Sequence, residues 1–256
     1  MFLAVEIYYY FLIFLVGLIL GSFFNVIIFR FNTEKSVIKG RSKCANCDSV
    51  IRCLDLIPVF SFFFLRGRCR NCSVKISPLY PIVEIATAIT LLLFFLNTPS
   101  ISYSTGINAL IILFLTLIIF IDIRYLIIPD KILILLAGAV VGSKLLIDNA
   151  DFYWLLISAF GLTSFFAILY VVSKGRWIGL GDIKLIFLMG FLLGYPMGYL
   201  AIVTAVWLAA IFPIILLAIG EANAKTEIPF GSFLSAATII FITFNDKLQE
   251  ISKYFI

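Results

Sequence analysis

Histidine is missing from all 256 residues, and its absence removes whole mechanisms before any motif is sought. A Ser-His-Asp triad, a Cys-His pair and a zinc site built on His-Glu-x-x-His all require imidazole. A hydrolase made from this chain must use carboxylates or a Ser-Lys pair. Charge is the second scarcity: 13% of residues are charged and 63% hydrophobic, against about 45 to 50% apolar residues in soluble domains. That composition describes a polytopic membrane protein. No glycine-rich cofactor loop, repeat or low-complexity tract is evident.

The net charge of +5 would suggest an anionic partner in a soluble protein. Here topology explains it better, so membrane lipid is expected as a partner and nucleic acid is not. Ten of the nineteen Lys and Arg residues lie between Arg30 and Lys75, and by the positive-inside rule that loop is cytoplasmic. The first apolar run, about 7 to 29, carries Glu6 before it and its basic residues after it. It reads as an uncleaved anchor with the N-terminus outside. Seven further runs follow at about 80 to 97, 106 to 124, 130 to 147, 153 to 173, 183 to 195, 197 to 219 and 229 to 245. About eight transmembrane helices are therefore expected, in an all-α protein divided as 1–29, a cytoplasmic loop 30–79 and a helical membrane domain 80–256. The connections agree: Asn97 to Thr105 lacks charge, Asp148 to Asp151 lacks Lys and Arg, and Lys174 with Arg176 marks the inner side. The run at 183 is short and bounded by Gly194-Tyr195-Pro196.

The polar loop holds all five cysteines. Cys44-Ala45-Asn46-Cys47 and Cys69-Arg70-Asn71-Cys72 are two C-x-x-C pairs at the spacing of a four-thiolate zinc site, which a small loop with little apolar surface needs in order to fold. Two disulfides are the alternative, disfavoured in a reducing compartment. Cys53 is left over and is expected to pack as a small apolar side chain.

Two carboxylates stand out. Gly179-Leu180-Gly181-Asp182 runs at once into an apolar span, and Asp122 closes an earlier one in Phe120-Ile121-Asp122-Ile123-Arg124. A carboxylate in a membrane segment costs roughly 2.5 to 3.5 kcal/mol at a helix centre and is functional by default. On the expected topology both sit at the cytoplasmic ends of their spans. A pair at one depth suits hydrolysis, since one carboxyl stays protonated to polarise a carbonyl while the other activates water, with no cofactor. Gly179 and Gly181 would let the backbone turn sharply and approach a substrate. Structural readings stand beside these: Asp182 paired with Lys184 or Arg176, Asp122 paired with Arg124, and Asp130 at a helix start, where its charge suits the dipole. Glu84, inside the second span, would pair with a basic residue of the loop or line a polar cavity. Gly21 and Ser22 would let helices approach closely.

Gly21-Ser22-Phe23-Phe24-Asn25-Val26, the two C-x-x-C pairs, Tyr80-Pro81-Ile82-Val83-Glu84, the stretch Phe120 to Asp130, Gly179 to Leu185 and Ile228-Pro229-Phe230-Gly231 together resemble the bacterial prepilin peptidases, type IV leader peptidases of the GxGD aspartyl protease class. The resemblance covers nearly the whole chain. It implies an aspartic endopeptidase of the bacterial cytoplasmic membrane, with Asp122 and Asp182 as the catalytic pair, that removes the leader of type IV prepilins or pseudopilins at the cytoplasmic face. It also implies N-methylation of the new N-terminus with S-adenosylmethionine, seated by analogy at the zinc loop with Gly67, Arg68 and Glu84 as supporting candidates. Where the family often has a second acid two places after the first catalytic aspartate, this chain has Arg124. The competing classes are a transporter or channel using the same aspartates as ion ligands, a scaffold binding through its zinc loop, and a Ser-Lys peptidase using Lys184.

Overall fold

A computed structural model describes residues 2–31, 40–98, 102–146, 151–220 and 227–252. Part of the Asn97 to Thr105 connection and most of the Asp148 to Asp151 connection lie outside them. The described residues form ten α-helices: α1 (Phe2–Arg30), α2 (Phe60–Phe64), α3 (Leu79–Leu96), α4 (Tyr103–Tyr125), α5 (Asp130–Leu146), α6 (Phe152–Ser173), α7 (Leu180–Leu193), α8 (Met197–Ala218), α9 (Phe230–Thr243) and α10 (Asn245–Ser252). Only two isolated β-bridges occur among them, Lys43 with Val50 and Arg68 with Lys75.

Each of the eight apolar runs carries a helix, because in lipid a spanning segment must satisfy its backbone groups internally. Five of these helices, α1, α3, α4, α6 and α8, are long and apolar enough to cross a membrane, so a count of eight spans is not confirmed. α7, with 14 residues, is about 21 Å long at 1.5 Å per residue, short of the roughly 30 Å hydrocarbon core.

Packing divides the chain into Met1–Leu96 and Asn97–Ile256. In the first unit α1 lies along α3. Small residues set the approach, as the sequence suggests: a β-carbon on Gly17 would lie 2.5 Å from the Ala88 Cα, and one on Gly21 2.6 Å from the Glu84 Cα. Contact that close favours helix association through dispersion, since lipid supplies no hydrophobic drive. In the second unit α4 packs on α5 and α9, α7 on α5, α6 and α9, and α8 on α9. Its core is branched and aliphatic, with Ile111, Ile112, Ile118, Ile121, Leu185, Ile186 and Leu234 fully buried. These helices bring the end of α4 and the starts of α7 and α9 together.

Candidate functional site

Asp122 sits in the last turn of α4, 4% exposed. Its helix ends at Leu126, which caps it in the left-handed region (φ 54°) and donates its N–H to the Asp122 carbonyl at 2.8 Å. That backbone conformation costs a non-glycine residue about 1 to 2 kcal/mol. It turns the chain sharply into Ile127-Ile128-Pro129 and the start of α5.

Asp182 lies in the first turn of α7, where its Oδ2 accepts the N–H of Gly179, the N-cap, at 3.2 Å. Capping accounts for Oδ2 only. The other oxygen faces α9: a β-carbon on Gly231 would lie 3.1 Å from Asp182 Oδ1 and 3.1 Å from Asp122 Oδ2. The two carboxylate oxygens are thus within twice that distance of each other. On the Asp122 side Ser232 holds Oδ2 with its N–H at 2.6 Å and its hydroxyl at 2.9 Å. Gly181 has no left-handed backbone; what it lacks is a side chain where Ile128 packs, since a β-carbon there would meet the Ile128 Cβ at 3.0 Å.

Two of the structural partners offered by the sequence make other contacts. Lys184 donates to Asp130 at 2.6 Å, and the Arg124 guanidinium lies over the Tyr125 ring. With side chains 50% and 67% exposed, the Lys184–Asp130 pair is a solvated latch between α7 and α5. Asp130→Asn is expected to lower stability by no more than about 1 kcal/mol, as checked by thermal unfolding of the purified protein in detergent.

The cysteines make a second centre. The sulfurs of Cys44, Cys47, Cys69 and Cys72 all lie within 4.8 Å of one another. Although no repeat shows in the sequence as a whole, the two knuckles are built alike. Cys44 N–H bonds Ser49 O and Cys69 N–H bonds Val74 O, both at 2.9 Å, while Ile51 and Ile76 close the turns onto Ser42 and Gly67. Backbone N–H groups of Cys72 and Asn71 bring the Cys69 thiol down to about 6. Cys44 is favoured as thiolate by N–H groups of Asn46 and Cys47, yet burial and its sulfur neighbours push it up to about 11. Four sulfurs so close cannot all ionise alone, and a divalent cation removes that conflict. The cluster fits a metal ion. Arg70 braces the second knuckle through Asp55, at 2.6 and 3.0 Å, and holds that carboxyl below the usual carboxylate range. Cys53 does not pack as an apolar side chain: it is exposed, because it opens a short turn (Cys53–Leu56) with no buried residue.

Gly67 takes a left-handed backbone (φ 64°) beside the Phe62 ring, and Arg68 is exposed. Glu84 is buried, and among the described residues no basic side chain provides its bonds: Oε2 accepts the Val59 N–H at 2.7 Å and Oε1 the Asn25 amide at 3.5 Å. Sequence reasoning missed Ser232 and Ile128 as parts of the carboxylate site, and noted Gly231 only within a motif. The Pro229-Phe230-Gly231 turn was the available signal.

Residues 15–98 match the family described as the bacterial peptidase A24 N-terminal domain, and residues 109–214 match the type IV leader peptidase family. Among curated proteins, a prepilin leader peptidase/N-methyltransferase of Bacillus subtilis is 29% identical over 241 residues, covering 93% of this chain and 95% of that protein. One of Myxococcus xanthus is 34% identical over 84% of this chain and 65% of its own length. One of Aeromonas salmonicida is 28% identical over 94% and 93%. No solved structure matches. With both halves matched, and with the paired carboxylates and four-cysteine cluster in place, the chain belongs to the type IV leader peptidase family.

Proposed function

We propose that the protein is a multi-pass membrane endopeptidase that cleaves the leader from type IV prepilins or pseudopilins with Asp122 and Asp182, and then methylates the new N-terminal amine. The observation that carries the peptidase reading is the convergence of one oxygen from each aspartate on Gly231. In this mechanism one aspartic acid donates a hydrogen bond to the scissile carbonyl oxygen. The other carboxylate takes a proton from water as that water's oxygen bonds to the carbonyl carbon. The tetrahedral intermediate then collapses: the leaving nitrogen gains a proton and the carbon–nitrogen bond breaks. Ser232 fixes the rotamer of Asp122, and the Gly179 N–H that of Asp182. The transporter reading has no support, and both aspartates lie at helix ends, away from the midplane position that ion ligands of transporters take. The excess of Lys and Arg in the loop supports a cytoplasmic side for the zinc centre, and the alternation of the connections supports the same side for the aspartates.

Cys44, Cys47, Cys69 and Cys72 would hold zinc as a closed tetrahedral structural ion. For the methyl donor, the buried Asn25 Oδ1 beside Glu84 has no hydrogen-bond partner among the described residues and would accept from an amino group. The exposed Arg68 would take a carboxylate, with Gly67 shaping the turn before it. S-adenosylmethionine, when bound, supplies an electrophilic methyl group. Glu84 serves as a support, since Val59 and Asn25 use its oxygens.

The test is incubation of the purified full-length protein with a prepilin-like substrate in lipid, with mass spectrometry of the product. Cleavage is expected, followed by a one-methyl mass gain that requires S-adenosylmethionine; failure to cut any of several such substrates would sink the reading. Gly231→Val should reduce cleavage by about 100-fold or more, because it places branched carbon between the carboxylates in contact range and displaces the reacting water. The rate of that variant, compared at equal thermal stability, checks the claim.

A further inference from the structure

Glu84 marks where the cysteine-bearing loop meets the membrane. α3 has 18 residues, about 27 Å at 1.5 Å per residue, so its ends cannot stand far outside a roughly 30 Å core. Glu84 is the sixth of them, about 8 Å along the axis from Leu79. Its carboxylate holds the Val59 N–H at 2.7 Å, so the loop dips back to the level of the second turn of α3. Val59 has φ 64° and ψ −53°, a region that β-branched residues avoid. The bond to Glu84 satisfies its N–H at a depth where water is scarce.

Around Val59 the apolar side chains face outward: Leu54 is 74% exposed, Phe60 57%, Phe63 69% and Phe64 84%. Water-facing loops rarely carry such a patch without a partner. Arg52, Arg66 and Arg68 flank it and are exposed. Asp48 and Asp55 are the acids of the described loop residues 40–78, and Asp55 is bound to Arg70. The patch is thus aromatic and basic, tethered at both ends to apolar helices and pinned at interfacial depth.

We propose that residues 54–64 form an interfacial wedge seated in the anionic leaflet that the loop faces, with Phe60, Phe63 and Phe64 among the upper acyl chains and Arg52 and Arg66 on lipid phosphates. The wedge fixes the height of the metal centre over the bilayer. This inference needs the membrane reading but not the peptidase reading, so cleavage assays and the following test fail independently.

The test uses full-length protein in vesicles of phosphatidylcholine and phosphatidylglycerol, with Trp154, Trp177 and Trp207 changed to Phe and Phe63→Trp as the sole indole. Lipids brominated near the headgroup are expected to lower its fluorescence about two-fold or more, with less effect from bromine at the chain ends and little from acrylamide. Changing Arg52 and Arg66 to Gln should weaken the bromolipid effect. Zinc content reports that the loop is folded, and Phe64→Trp replaces Phe63→Trp if the latter loses zinc. Acrylamide quenching with no bromolipid effect at either position overturns the proposal. Loss of bromolipid quenching on adding a prepilin-like substrate also overturns it, in favour of a protein occupant.

Discussion

Asp122→Asn and Asp182→Asn are each expected to lower prepilin cleavage by on the order of 1000-fold or more, because each removes one of the two proton-handling groups the mechanism requires. Asparagine keeps the size and most hydrogen bonds of aspartate, so Ser232 can still bond position 122 and the Gly179 N–H position 182. Unchanged thermal stability with lost activity is the expected pattern. Asp130→Asn, which breaks only the exposed latch to Lys184, should keep most of the activity. Cleavage followed by mass spectrometry decides the matter: if well-folded Asp122→Asn or Asp182→Asn still cuts at a rate near wild type, the aspartyl mechanism is wrong.

The second large effect concerns the cysteines. Cys69→Ser, or prolonged treatment with a strong zinc chelator, is expected to abolish stoichiometric zinc binding and open the loop. Free energies of about 10 to 16 kcal/mol bind structural zinc in small domains, and the segment around the knuckles has almost no buried apolar side chain to replace them. Metal analysis by mass spectrometry and limited proteolysis between Arg41 and Lys75 report the two parts of this effect. Cys53→Ser, outside the cluster, should change neither; if it costs zinc as Cys69→Ser does, the four-cysteine assignment fails.

Helices were the legible part of this chain, because an apolar run long enough for lipid has few other ways to satisfy its backbone. Their ends were less so. The run read from 183 begins at Leu180 as a helix, since Gly179 to Asp182 forms a cap whose composition looks like a loop. Asp122 and Asp182 were visible individually because a carboxylate beside an apolar run is costly. What joins them was not: Gly231 lies against both carboxylates and Ser232 bonds Asp122 across 110 residues, and no local spacing encodes that closure. Glu84 shows another limit. The sequence offers it a basic partner or a polar cavity, whereas its carboxylate bonds the N–H of Val59 and the amide of Asn25, and a backbone donor leaves no mark in a sequence. The two cysteine knuckles, by contrast, share Cys-x-Asn-Cys and an isoleucine four residues on, Ile51 and Ile76, and their turn hydrogen bonds repeat with those residues.

The short α7 has a consequence for supply. Hydrolysis consumes one water molecule per cut, and a dyad sealed in hydrocarbon would wait for it. A helix of about 21 Å cannot hold a bilayer of ordinary thickness apart at both faces, so lipid must thin over it or headgroups must sink toward its ends. Asp182 stands at one of those ends. The same shortfall in length that makes α7 a poor span would bring the aqueous phase to the Asp182 end of the site, beside the buried Asp122.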